Sequence, residues 1–227
     1  MNTDLEQLRK VSLGAAALDD QGYFVLPPVP NSLFTRDSSC WIFNGVSVNP
    51  MYWPARRKES LNLLAIYCYH PMFKDAGFEF WYPERGDDGR FLAQDFGSAS
   101  LEGGDVMPIG NGTVLIGMSE RTQARMIEQI AKNLFDKGAA ERVIAAVMTK
   151  DRAHMHLDTV FTFLDRDTVT AFPKVVSQIR GISLRPGAKA GGPNYVLQMG
   201  HWQQADLPTA QADPAPALTT LLTQCLK

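Results

Sequence analysis

The chain of 227 residues predicts an α+β fold, on three observations. Short β-rich runs come in pairs around turn-forming residues. Two stretches carry apolar residues at helical spacing. The order strand, strand, helix, strand occurs twice in full and begins a third time. The repeats share almost no side chains, so the order of elements carries the inference.

The first unit opens with DSSCWIFNGVSVNP (37–50), two strands on either side of Asn44-Gly45, a dipeptide suited to the positive φ of a type I′ turn. Residues 54–70 follow as a helix, with Pro54 near its start and Leu61, Leu64, Ala65 and Cys68 on one apolar face. FEFWY (78–82) closes the unit as a strand. The second unit begins with LEGGDVMPIGNGTVLIGM (101–118), two strands around Gly110-Asn111-Gly112. Ser119 is placed to cap a helix that carries Ile127, Ile130, Ala131 and Leu134 on one face and stops at Gly138. RVIAAVM (142–148) reads as a buried strand. MHLDTVFTFLDRDTVTAFP (155–173) starts the third unit, two strands around Asp165-Arg166-Asp167, with a short helix near Val175–Ile179. From Gly187 the chain is rich in Ala, Pro, Gly and Gln and loses periodicity. This divides it into an ordered domain over 1–186 and a divergent, poorly ordered tail over 187–227, with a marginal helix at 218–226.

The hydrophobic fraction of 45% and charged fraction of 20% are those of a soluble globular protein, and this length can bury one core. A formal charge of −2 gives no attraction to nucleic acid or an anionic membrane. No apolar run approaches the roughly 18 residues of a membrane span. The first residues lack the apolar block of a secretory signal. Cys40, Cys68 and Cys225 are too few and too scattered for a disulfide framework or a zinc finger. The expected setting is reducing and cytoplasmic.

Acidic residues recur where the units open. Asp37 precedes the first hairpin, Glu102 and Asp105 stand on or beside the first strand of the second, and His156 and Asp158 on that of the third. Were the units arranged around an axis, these acids would converge. Convergent carboxylates are costly unless a cation or proton sits between them. A guanidinium suits that place, because its planar fork of N–H donors pairs two carboxylates. On a strand His156 and Asp158 would point to the same side, and an imidazole there could shuttle protons. Structural alternatives stand beside these readings: Asp37 and Asp105 as turn residues, His156 as a satisfied core histidine, and Arg56 and Arg121 as solvated charges. A metal site of His154, His156 and Asp158 is a further reading.

Five strings in order, NSLFTRD (31–37), NPMYWPARR (49–57), LEGGDVMPIGNG (101–112), GMSERT (117–122) and MHLDTVFTF (155–163), closely resemble the bacterial arginine deiminase family. The resemblance runs from Tyr23 to Pro186. It implies a fold of five strand-strand-helix-strand blades in a β/α propeller, here partial, and hydrolysis of L-arginine to L-citrulline and ammonia without cofactor or metal. It also implies site roles. Asp37 and Asp158 would clamp the substrate guanidinium, and His156 would be the general acid and base, with Glu102 holding it. Asn31, Phe34, Arg56 and Arg121 would surround the backbone end of the substrate. Asp105 is the second acid of its motif and falls among the substrate-binding positions.

The family nucleophile is a cysteine in a glycine-rich stretch near the end of the chain, and nothing like it occurs here. Cys40 matches a non-catalytic position, Cys68 reads as core, and Cys225 lies in LLTQCLK without a glycine loop. The family also has an opening blade and a helical insertion ahead of Asn31. The expectation is therefore a chain shortened at both ends and inactive alone, whose open ring favours self-association or a complementing chain. The alternative is a non-catalytic guanidine-binding or interaction protein.

Overall fold

The computed structural model describes residues 28, 29, 31–92, 99–166 and 168–186. The proposed tail and its short helix lie outside them. Within them the fold is mixed α and β, built from several small sheets and few helices.

A single helical turn, α1 (Thr35–Ser38), leads directly into β1 (Ser39–Ile42), which pairs antiparallel with β2 (Gly45–Val48). The chain then passes through α2 (Arg57–Tyr69) and returns as β3 (Glu79–Tyr82), parallel to β2. After a small pair, β4 (Glu84–Arg85) and β5 (Phe91–Leu92), the same construction recurs. Here β6 (Val106–Gly110) pairs antiparallel with β7 (Thr113–Met118), α3 (Ala124–Asp136) crosses over, and β8 (Arg142–Val147) lies parallel to β7. The two predicted complete units thus share one pairing scheme, a hairpin and then a parallel return strand.

The third unit departs from it. Hairpin β9 (Phe161–Phe163) and β10 (Val169–Ala171) is followed by α4 (Pro173–Val176) and β11 (Arg180–Leu184). Instead of joining β10, β11 pairs antiparallel with β8, giving the order β11-β8-β7-β6. The sequence reading does not include this strand.

Packing explains why the central sheet is continuous in hydrophobicity. Val114, Ile116 and Val143 face α3 and Trp81, whereas Leu115, Ile144 and Ala146 face Leu157, Val160 and Phe161 of the third unit. Strands covered on both faces read as unbroken apolar runs. The expected face of α3 is buried at Ile127, Ile130, Ala131 and Leu134. The helix ends as predicted at Gly138 (φ 63°), where Ala139 N–H donates to Leu134 O, a Schellman closure.

Four local expectations are corrected. The first hairpin turns one residue early, at Phe43-Asn44, with Phe43 at φ 51°. Gly45 instead begins β2, where a Cβ would stand 2.6 Å from the Trp81 ring. On α2 the buried side is Tyr67 with Leu63 and Leu64, while Leu61 and Ala65 are exposed; the aromatic cluster of Trp41, Tyr67, Phe73 and Phe78 fixes this rotation. Ser119 does not cap α3, which starts at Ala124, because its hydroxyl is bonded to Asp105. Finally, His156 and Asp158 are not on a strand. They flank and enter a 3-10 turn, Leu157–Thr159, ahead of β9.

Gly45→Ala is expected to destabilise the protein by roughly 1–3 kcal/mol through overpacking against Trp81. A denaturant midpoint unchanged from the parent protein would contradict that packing.

Candidate active site

Three segments that precede hairpins meet at one place. Asp37 is presented by α1, whose end is tied down by Asn49: its side-chain amide donates to Asp37 O and its backbone N–H to Ser38 O. Arg56, on the 3-10 turn that opens α2, donates to Asp37 Oδ2 at 2.8 Å. Its remaining donors go to Glu59, at 2.9 and 3.1 Å, and to the carbonyls of Asn31 and Phe34. Burial pulls the Arg56 guanidinium down, but Glu59 and Asp37 outweigh it and hold it above its usual value. In this structure Arg56 therefore braces Asp37 and does not stand free for a substrate carboxylate.

Glu102 is fully buried in extended backbone just before the Gly103–Asp105 turn. Its Oε2 is 2.7 Å from His156 Nε2 and 3.5 Å from Arg121 Nη1, and its Oε1 accepts from Tyr52 N–H. On the other side of the ring, His156 Nδ1 is 3.8 Å from Asp37 Oδ1. Gly103 and Gly104 are what allow this approach. A Cβ on Gly103 would fall 1.9 Å from Arg36 O, and one on Gly104 would fall 2.7 Å from His156 Nδ1 and 3.0 Å from Asp158 Oδ2. His156 and Asp158 thus both reach over Gly104. Asp158 is 3.6 Å from Arg36 Nε and, with Arg36, Met107, Pro108, Thr162 and Phe163, lines a cavity of about 470 Å³.

Burial alone would push the His156 ring down; the Glu102 hydrogen bond and the charges of Asp105, Asp37 and Glu102 outweigh it, and the ring is raised above 6.5. Burial raises Asp158 above its ordinary value, against the pull of His156 and Arg36, with the like charge of Asp37 adding to it. Asp105, which the resemblance counts among the substrate-binding positions, is fully buried. Burial pushes its carboxyl up to about 7, against hydrogen bonds from Ser119, Thr122 and Leu157 and the charge of His156.

Arg121 is buried against Glu102 and Glu120, and its guanidinium lies 5.7 Å from the ring centres of both Tyr52 and Trp53. Its Nε has no hydrogen-bond partner among the described residues. Asn31 and Phe34 are exposed, and their backbone carbonyls accept from Arg56. The predicted residues Asp37, Glu102, Asp105, His156 and Asp158 are thus brought together, while Asn31 and Phe34 stand at the rim.

Sequence reasoning missed Arg36, Glu59, Tyr52, Ser119 and Thr122. The i, i+3 spacing of Arg56 and Glu59 was a readable signal; the hydroxyls of Ser119 and Thr122 had none. Among the described residues, Asp37, Glu102 and His156 offer donor atoms within 4.8 Å of one another, close enough to consider a metal ion. The guanidiniums of Arg56 and Arg121 against those same carboxylates oppose a dication there. His154 is not in this group and stacks on Phe172. Among the described residues, neither thiol is a nucleophile placed at this site. Burial pushes Cys40 up to about 12, against Asn49 and Arg36, and also raises Cys68, which is half-buried on α2.

Among solved structures, the chain is similar to a dimethylarginine dimethylaminohydrolase captured as an adduct with 4-chloro-2-hydroxymethylpyridine. Identity is 20%, the TM-score is 0.45, and the match covers 63% of this chain and 48% of that one. DDAH from Pseudomonas aeruginosa complexed with citrulline matches at 19% identity and TM-score 0.44, over 74% and 51% of the two chains. AgrE in a binary complex with L-arginine matches at 19% and 0.47, over 66% and 19%. The chain therefore spans about half the length of these hydrolases and less of AgrE. Residues 2–200 match the arginine deiminase family, and the chain belongs to it.

The raised groups set the pH dependence of stability. The folded His156 ring holds its proton more tightly than the unfolded chain does, so its contribution is present below 6.5 and is lost as pH rises through the folded value. Asp105 acts in the same direction lower down, since ionising it between 3.8 and about 7 disfavours the folded state. The thermal midpoint is expected to fall as pH rises from about 6.5 through the raised value of the folded His156 ring, and His156→Gln to flatten that fall. A midpoint that rises over this interval would contradict the assigned environment.

Proposed function

We propose that this cleft binds the guanidinium of L-arginine and serves its hydrolysis to L-citrulline and ammonia. The observation that carries the reading is that Asp37 stands 3.8 Å from His156 Nδ1 and that His156 and Asp158 both reach over Gly104, with Glu102 bonded to the far nitrogen of the ring. Two carboxylates flanking a planar cation pair with its N–H groups, keep it protonated and so leave its central carbon electrophilic. Arg36, now 3.6 Å from Asp158, holds the place that the substrate guanidinium would take.

In this reading a thiolate adds to the guanidinium carbon. His156, charged and held by Glu102, gives its proton to the departing nitrogen, which leaves as ammonia. The neutral imidazole then takes a proton from water as that water attacks the same carbon, and the C–S bond breaks to release citrulline and the thiolate. Neither Cys40 nor Cys68 fits the nucleophile, and Cys225 lies outside the described residues. That favours one second reading, a protein that binds guanidines without turning them over. The two matching hairpin-helix-strand units would be blades of a five-bladed β/α propeller.

Arginine at a hundredfold excess over its Kd is expected to stabilise the protein by about 2.7 kcal/mol, and lysine not to do so. Asp37→Asn and Asp158→Asn should each remove most of that effect. Citrulline release in the same samples decides between turnover and binding alone. Equal stabilisation by lysine and arginine would sink both readings.

A further inference from the structure

The Asp105 side chain accepts three hydrogen bonds, two from the Ser119–Thr122 turn and one from the segment that carries His156 and Asp158. Ser119 Oγ and Thr122 Oγ1 donate to Oδ2 at 2.6 and 2.5 Å, and Leu157 N–H donates to Oδ1 at 2.8 Å. The directions are fixed by the other bonds of these hydroxyls. Ser119 Oγ already accepts from the backbone N–H groups of Arg121 and Thr122, and Thr122 Oγ1 accepts from Glu102 N–H. Their own hydrogens are therefore left to point at Asp105.

These contacts tie the segments that carry the proposed chemistry. Leu157 sits between His156 and Asp158, so its N–H anchors the backbone of both. Thr122 Oγ1 bridges Asp105 to the backbone of Glu102, and Ser119 holds the turn that carries Arg121. Gly117 lets the carboxylate into this position, because a Cβ there would stand 2.3 Å from Asp105 Oδ1.

We infer that Asp105 is a positioning residue: from beneath the cleft it fixes Glu102, Arg121 and the His156–Asp158 pair relative to one another, and touches no ligand itself. An amide cannot take its place. Asparagine offers one oxygen to three donors, so its NH₂ must face a hydroxyl hydrogen or the Leu157 N–H. The consequence for arginine binding rests on the function proposed above; the geometric role does not.

The test is an NMR titration of ¹⁵N-histidine-labelled full chain, with His156 assigned through His156→Gln. Thr122→Val keeps the Asp105 side chain itself and the volume at position 122 but cuts the bridge to Glu102. It is expected to fold and to lower the His156 titration midpoint by about one pH unit, as a loosened carboxylate partner would. Asp105→Asn is expected to lower it further, and arginine affinity to fall on the order of tenfold or more in both. If Asp105→Asn does not fold, Thr122→Val and Ser119→Ala decide alone. His156 titrating as in the parent protein in the folded variants would overturn the role. Failure of the parent protein to bind arginine would sink the proposed function and leave the histidine readout standing.

Discussion

Like charges brought together in a buried place are the constraint around which this structure is arranged. Asp37, Glu59, Glu102 and Asp105 are all largely withdrawn from water, with Asp158 at the edge. Burying such groups is costly unless opposite charge and hydrogen bonds replace the lost hydration. Each has its own arrangement. Arg56 is shared between Asp37 and Glu59, Arg121 and His156 meet Glu102, Arg36 faces Asp158, and Asp105 is held by hydroxyls and a backbone N–H. The outcome is a fixed array of carboxylates with the imidazole in its midst. In the proposed function, a cationic ligand enters a site whose charges are already oriented, and little reorganisation is left to the moment of binding.

The fold serves this array by ending its irregular segments at the same place. Asp37, Glu102, Asp105, His156 and Asp158 lie in the short segments just before hairpins, while Arg56, Glu59 and Arg121 reach them from the segments that follow. Covering β7 and β8 on both sides locks the second unit against the third, and β11 returning to β8 fastens that contact. Glycines then set the separations. At Gly103, Gly104 and Gly117 the backbone passes so near Arg36, His156 and Asp105 that no side chain fits. The site is thus as much a consequence of absent Cβ atoms as of charged ones.

The legible part of the sequence was the part written in periodicity. Both complete units, the buried face of α3 and its glycine stop follow from local pattern, because burial and turn chemistry act over a few residues. The convergence of acids was legible as a rule about where units begin, although the side chains sit on or beside short helical turns and not on strands. What was not legible depends on distant partners. The rotation of α2 is set by aromatic rings from β1 and the loop before β3, the turn at Phe43 by the room that Trp81 leaves, and Ser119 by a carboxylate fourteen residues earlier. Arg56 was read as free to meet a ligand because nothing in its own neighbourhood announced that Asp37 would claim it.

A crystal structure of the chain grown with arginine addresses the central claim most directly, because it shows where a planar cation goes. The account predicts the guanidinium plane over Gly104, its nitrogens within hydrogen-bonding distance of Asp37 Oδ1 and Asp158, and Arg36 displaced from the latter. Arginine bound elsewhere, with the Arg36–Asp158 pair intact and the cleft holding only solvent, would contradict it.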